Sequence, residues 1–234
     1  MKQYRYVKSN AFTSGESLEN TAACIFTGQE ELTPEQMAKS IITAETNRKG
    51  IIEVFNAINK EDAVYITAPD PIEHPMNLSI EQIEDELTLP HGSIRKDLPI
   101  HIIDAGLRTL IVPIADLETE ISVYPNEQRL KSFCLDNDID IILVFSKQTA
   151  DASAFAHTRV FAPKFGYLED PATGSGNSAF ANYLLSERLW KGEPITIEQG
   201  GNDRIFNSVK LKCQDDKVLF GGKATKKIDG EYYI

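Results

Sequence analysis

Residues 161–185, FAPKFGYLEDPATGSGNSAFANYLL, combine several strong local signals in one short segment. An apolar run ends near Pro163, two acids follow at Glu169 and Asp170, and the string TGSG at 173–176 leads into an apolar, small-residue stretch. Glycine and proline interrupt regular structure, and Ser, Thr and Asp favour helix starts. The segment therefore predicts a strand, an acidic turn, a small-residue loop and a helix, in that order.

The start of this helix is a candidate site for an anion. The first N–H groups of a helix have no partner inside it, and the aligned peptide dipoles place partial positive charge there. Thr173, Gly174, Ser175 and Gly176 are the candidate binding residues, since glycines allow a ligand to approach the backbone closely. Asp170, just upstream, is a candidate proton donor or acceptor. The alternative is that Asp170, Thr173 and Ser175 only cap the helix.

The string EDPATGS, preceded by RVFAPKFG, resembles the second-half signature of the phenazine-biosynthesis PhzF-like family. SNAFTSG and AACIF near the start, DAGLRTLIVPI in the middle and KVLFGGKA near the end resemble other segments of that family. The resemblance implies the diaminopimelate epimerase fold, which is mixed α/β (α+β). Such a fold has two similar domains, each a curled mixed sheet around a central helix, with both helix N-termini facing a common cleft.

Two segments depart from the family pattern. The family opening usually reads Gly-Asn-Pro, where this chain has Glu19-Asn20-Thr21, and the first-half string CGHAT does not occur in the 234 residues. We therefore expect a truncated epimerase-like domain at residues 1–75 and a second domain at residues 76–234 that carries the DPATGS motif. The prolines of residues 69–75 mark the expected boundary.

The family's catalytic glutamate lies in a Ser-Glu-Thr-like turn, and Glu45 in the string TAET is its candidate here. The same residues could instead begin the strand segment that continues into IIEVF, so both interpretations stay open. The resemblance further implies that Asp170 assists a proton transfer and that Gly174 and Ser175 hold a substrate carboxylate.

Two functions follow from the resemblance. The first is a cofactor-free isomerase that moves a proton on a small carboxylated metabolite. The second is a degenerate family member that binds a small anion or forms a structural dimer without catalysing a reaction. The absent CGHAT string favours the second.

Composition argues against several other functions. The formal net charge is −11 and Lys and Arg are not clustered, so nucleic acid is not an expected partner. No apolar run approaches the roughly 20 residues of a membrane span, and the first ten residues lack the apolar core of a signal peptide. We expect a cytoplasmic protein.

The four histidines and three cysteines show no metal-ligand spacing, so no metal is expected. The sheet edges of a truncated domain predict a homodimer.

Local patterns also predict individual elements. Thr33-Pro34 and Ser79 with Gln82 are typical of helix starts. The string Asp116-Leu117-Glu118 favours a short turn. His157 leads into the motif strand and is the histidine with a possible catalytic role, a structural role being the alternative.

Overall fold

The computed structural model describes residues 3–14, 20–26, 41–46, 50–201 and 206–233. Within these residues the helices are α1 (Ile58–Glu61), α2 (Ile80–Leu87), α3 (Leu117–Ser122), α4 (Glu127–Asp136) and α5 (Gly174–Ser186). The strands are β1 (Gln3–Ala11), β2 (Asn20–Phe26), β3 (Ile41–Thr46), β4 (Gly50–Asn56), β5 (Val64–Thr67), β6 (Ile72–His74), β7 (His101–Asp104), β8 (Arg108–Pro113), β9 (Ile141–Ser146), β10 (Ala156–Phe161), β11 (Glu169–Asp170), β12 (Ile195–Gln199), β13 (Asn207–Gln214), β14 (Lys217–Gly222) and β15 (Ala224–Tyr233). This combination confirms the expected mixed α/β class.

The described strands form two sheets. One has twelve strands, in the order β3-β4-β5-β14-β13-β12-β10-β9-β8-β7-β6, with β11 paired to β10, and the other has the order β15-β1-β2. The pairs β8·β9 and β10·β12 are parallel, and the other pairs are antiparallel. β5 pairs with β14, and β1 pairs with β15, so strands from both sides of residue 75 hydrogen-bond to each other. The division into domains at residue 75 stays a prediction.

The two faces of the larger sheet pack against different helices. Val160 lies on the inner face, in a core cluster with Phe180 and Tyr183 of α5. Phe161 lies on the outer face, in a second cluster with Leu87 of α2 and Leu130 of α4. Successive side chains of a strand point to opposite faces, so the apolar run of β10 serves both cores. The motif helix α5 is therefore separated from α2 and α4 by the sheet.

One predicted helix start is confirmed, whereas a predicted turn and the end of a predicted helix are wrong. Ser79 accepts from the N–H of Gln82, while the Gln82 side chain accepts from the N–H of Ser79, which is the predicted capping box. The string predicted as a turn at 116–118 instead opens α3, with Asp116 as its N-cap accepting from the Thr119 N–H. The helix predicted from Thr33 falls on residues 27–40, outside the described residues, and its expected end at residues 41–42 lies in β3.

The strand and the helix of the motif are confirmed, but the predicted acidic turn is wrong, and the predicted small-residue loop is wrong in extent. The two acids form β11, which pairs with β10, and the loop consists of residues 171–173 alone. Helix α5 begins at Gly174, so the TGSG string mostly lies in its first turn. Small residues are needed in the first turn of α5 because side chains of the sheet pack against it.

Candidate active site

The N-terminus of α5 leaves its first backbone donors unpaired within the helix. Thr173 is the N-cap, with an extended backbone and no side-chain bond to the helix. The first helical hydrogen bond runs from the Asn177 N–H to the Thr173 carbonyl, at 3.2 Å. The N–H groups of residues 174–176 therefore precede that bond, as expected for a helix start. Ser175 in this turn is partly exposed. Such a turn presents donors to an anion.

Asp170 lies beside this helix start. Its Oδ2 accepts from the Thr173 hydroxyl at 2.6 Å, and its Oδ1 accepts from the Ala172 N–H at 3.5 Å. Burial raises the pKa of Asp170, the two hydrogen bonds partly offset that rise, and the charge of Glu169 adds to it. In the described part of the chain, Asp170 makes no ion pair with a cation. A carboxylate in this setting is a stronger base than an exposed one.

The neighbouring acid, Glu169, has the opposite environment. Both of its carboxylate oxygens accept from the Arg159 guanidinium, at 3.0 and 2.8 Å. Arg159 is fully buried, and its Nη1 also donates to the carbonyls of Glu120, Ile121 and Val123 at the end of α3. Glu169 is therefore committed to a charge-balanced, bidentate pair. Of the two acids in the motif, Asp170 is the one available for chemistry.

Gln199, at the end of β12, holds the motif loop in place. Its Oε1 accepts from the Thr173 N–H at 3.0 Å and from Asn177 Nδ2 at 2.7 Å. Its Nε2 donates to the Asp170 carbonyl at 2.9 Å and to the Thr173 hydroxyl at 3.1 Å. The side chain is fully buried, and both ends of its amide are used. The Thr173 hydroxyl thus accepts from Gln199 while it donates to Asp170, which fixes its orientation.

Strand β13 connects the motif loop with the N-terminal segment. Asn207 donates from Nδ2 to the Pro171 carbonyl at 2.7 Å, and the next residue, Ser208, donates its N–H to the Phe12 carbonyl at 2.9 Å. Phe12 has a positive φ of 59°, and the Thr13 N–H donates to the Lys223 carbonyl. The NAFT string at residues 10–13 and the DPATGS string therefore lie close together, although about 160 residues separate them in sequence.

The glycines of the motif allow close packing of the protein itself. A Cβ on Gly174 would lie 2.4 Å from Cε2 of Phe220, and one on Gly176 would lie 3.3 Å from Cδ1 of Ile141. Both contacts belong to the inner core beneath α5. The glycines therefore bring the helix start against the sheet, while the role of residues 173–176 in binding a substrate stays a prediction.

Glu45 lies within β3, opposite Ile51 of β4. The backbone position of Glu45 in β3 agrees with the interpretation of the TAET string as part of a strand segment. The structure describes the backbone of this strand and not its side chains, so a catalytic role for Glu45 stays a prediction.

His157 lies on the outer face of β10, on the opposite side of the sheet from α5. Its Nδ1 lies 3.0 Å from Oε1 of Glu120, and both side chains are fully buried. Burial, with a contribution from the Arg159 charge, lowers the pKa of His157 to about 4. Burial also raises the pKa of Glu120 well above its ordinary value, against the attraction of Arg159. This pair belongs to the outer core and does not line the start of α5.

Sequence reasoning identified Asp170 and the TGSG string, but it missed Gln199, Asn207 and Arg159. Each of these three is a polar residue in or beside an apolar strand, and each acts on a loop distant in sequence. The signal that could have found Arg159 and Gln199 is their position in strands that are otherwise buried, since a buried polar side chain requires partners.

Two absences hold for the described residues. No three His, Cys, Asp or Glu side chains lie close enough together there to hold a metal ion. None of the helices described has both the length and the apolar character that crossing a bilayer requires.

The fold and the motif helix define a protein of the epimerase-like mixed α/β class. A crystal structure of a PhzF-family phenazine biosynthesis protein from Bacillus anthracis superimposes with a TM-score of 0.80 over 100% of both chains, at 19% identity. A predicted epimerase from Pseudomonas aeruginosa gives a TM-score of 0.69 over 99% of both chains, at 15% identity. These similarities confirm the expected fold.

The sequence model of the phenazine biosynthesis-like proteins, PhzC-PhzF, matches residues 22–230, and the chain belongs to this family. Antisense-enhancing sequence 1 of Schizosaccharomyces pombe is 26% identical over 194 residues, 79% of this chain and 64% of that protein. An uncharacterized isomerase of Bacillus subtilis, YfhB, is 24% identical over 192 residues, 81% of this chain and 66% of that protein. The match thus spans slightly less than two thirds of these relatives' length.

Proposed function

We propose that this chain is a cofactor-independent isomerase that moves a proton on a small carboxylated metabolite. The observation that carries the proposal is the setting of Asp170: a partly buried carboxylate with a raised pKa, without a cationic partner among the described residues, beside the free donors of α5. Relatives of the chain are named isomerases, which supports the same class of reaction.

In the proposed mechanism, the substrate carboxylate accepts from the N–H groups at residues 174–176, with Ser175 beside it. Asp170 takes a proton from the substrate or returns one to it, and the Thr173 hydroxyl keeps its carboxylate oriented. The negative charge that develops on the substrate is stabilised by the same oriented N–H groups. Glu45 is the proposed second acid–base group, on the evidence of the family resemblance alone.

Exchange with solvent deuterium tests the proposal. The protein is incubated in D₂O with a panel of small carboxylic acids, and deuterium incorporation is followed by mass spectrometry. We expect incorporation into at least one acid, and at least a hundredfold slower incorporation with Asp170→Asn, since a positioned general base contributes about 10²–10⁴-fold. The matched control is Asp216→Asn, which neutralises an acid in the exposed turn between β13 and β14.

Binding is measured in parallel by calorimetry, because binding separates the two candidate functions. An acid that binds in a Ser175-dependent manner but exchanges no proton would contradict the isomerase and favour the small-anion binder. Equal exchange rates for the wild type and Asp170→Asn would remove Asp170 from the mechanism.

A further inference from the structure

A groove of about 400 Å³ crosses the outer face of the larger sheet, away from α5. Its floor is formed by Thr196 of β12 and Lys210 of β13, which are direct partners in the ladder. Glu61 of α1 and Tyr65 of β5 form one wall. The other wall consists of residues 153–155, Pro194 and Ile195. A volume of this size lies in the usual range of small-molecule sites.

The groove is separate from the start of α5. Ile197 of β12 belongs to the inner core beneath α5, as do Val209 and Leu211 of β13. Thr196 and Lys210 alternate with these residues and therefore point to the outer face. Gln199, which holds the motif loop, lies at the other end of β12. The sheet itself stands between the two places.

The groove is lined by one lysine, Lys210, and one carboxylate, Glu61, and the neighbouring Lys212 adds a second positive charge. Each oxygen of the Glu61 carboxylate has a partner: Oε1 accepts from Lys212 Nζ at 2.8 Å, and Oε2 accepts from the Tyr65 hydroxyl at 2.6 Å. Lys210 Nζ donates to the main-chain carbonyl of Glu61 and makes no ion pair among the described residues. An ammonium group has three donors, so two remain for a ligand.

The rest of the groove is suited to an apolar group. Ala154, Phe155 and Pro194 line the groove beside Lys210, whereas Ile195 reaches it from a strand position whose side chain faces the inner core. An apolar wall opposite a single unpaired ammonium matches a ligand with an apolar body and one negative charge.

We propose that this groove binds a small amphipathic monocarboxylate. Its carboxylate accepts from Lys210 Nζ, and its aliphatic or aromatic body lies against Ala154, Phe155 and Pro194. The site is additional to the one proposed at α5 and does not depend on it.

Phenylacetate is the probe, and backbone amide shifts in ¹H–¹⁵N NMR spectra of the whole chain are the measurement. We expect saturable shifts at residues 153–155 and 194–196. The neutral analogue 2-phenylethanol should bind at least about tenfold more weakly, since it cannot pair with the ammonium. Shifts confined to residues 170–176 would show binding at α5 alone and would overturn the proposal, whatever the outcome for the isomerase.

Matched variants test the role of the charge. Lys210→Met should weaken phenylacetate binding about tenfold, whereas Lys217→Met, which removes an exposed lysine of the adjacent strand β14, should leave it unchanged. Ala154→Trp fills the groove without altering any charge and should abolish the shifts. Asp170→Asn should leave them intact. Unchanged affinity in both Lys210→Met and Ala154→Trp would refute the groove as the binding site.

Discussion

At the scale of single residues, adjacent acids are given different properties by their partners. Glu169 is held by the buried Arg159 through two hydrogen bonds, while the described residues that donate to Asp170 are neutral groups. Burial raises the pKa of Asp170, and the neighbouring Glu169 charge adds to that effect. Two adjacent carboxylates thus have different environments, one in an ion pair with Arg159 and one with a raised pKa that suits the proposed acid–base role.

The pair of His157 and Glu120 predicts a dependence of stability on pH. The pKa of His157 is about 4 in the folded protein and about 6.5 in the unfolded chain, so the unfolded state binds more protons between these values. The stability due to neutral His157 is therefore present above pH 6.5 and lost as the pH falls towards 4.

The variant His157→Gln has no imidazole to protonate, so it does not show this loss of stability at low pH. The wild type's advantage over the variant in free energy of unfolding should shrink by on the order of 2 kcal/mol between pH 7 and pH 5, as measured by urea unfolding. A constant difference between wild type and His157→Gln would contradict the assignment of a neutral, buried histidine.

Glu120 contributes to the pH dependence of stability with the opposite sign to His157. Its folded pKa is raised well above the unfolded value, so the stability of its protonated form is complete below pH 4.5 and is lost as the pH rises through the folded pKa. Glu120→Gln, which resembles the protonated acid, should gain in melting temperature relative to the wild type as the pH rises from 5 to 8.

At the scale of the element, the start of α5 combines two demands on sequence. Its first turn must approach the sheet, and its donors must stay free of side-chain caps. Gly174 meets the first demand, because Phe220 occupies the place of a Cβ. Thr173 meets the second, because its hydroxyl is turned to Asp170 and does not bond to the helix. The turn is therefore close-packed on one side and available to a ligand on the other.

Gly174→Ala should destabilise the protein, although alanine is the better helix former. A Cβ 2.4 Å from the Phe220 ring forces that ring or the helix to move, and overpacking of a core costs about 1–3 kcal/mol. Denaturant unfolding measures the loss. Phe220→Leu in the same chain should restore part of it, and Gly230→Ala, where nothing lies within 4 Å, should have little effect. A stabilised Gly174→Ala would contradict the packing described.

At the scale of the whole molecule, the chain's two ends and its middle are joined in shared sheets. β1 pairs along its length with β15, from Gln3 opposite Tyr233 to Ala11 opposite Ala224. β14 bridges β5 and β13, so early and late strands lie in one sheet. Within the described residues, that sheet ends at β3 on one side and at β6 on the other. Open strand edges favour association with another chain.

We expect a homodimer in solution for this reason. Light scattering after size exclusion should give a mass of twice 26.1 kDa at micromolar concentration. A constant mass of 26.1 kDa over a hundredfold range of concentration would refute the dimer.

Local signals were sufficient for most elements. The capping box at Ser79 and Gln82 and the apolar strands around the motif could be predicted because short-range hydrogen bonds and the period of side chains are encoded in adjacent residues. The α3 helix was missed because it is a single short element, LETEIS, with little apolar periodicity. The resemblance of the EDPATGS string identified the family before any geometry was known.

Adjacent residues therefore determine the capping box at Ser79, the apolar strands around the motif, which acid precedes the motif helix and which family the chain belongs to. The tertiary structure alone decides which acid is neutralised by Arg159, that Gln199 and Asn207 hold the motif loop, and that the NAFT segment lies beside it. The physical reason is that these contacts join residues 10 to nearly 200 positions apart. They depend on strand order and on the burial of polar groups, which short-range patterns do not encode.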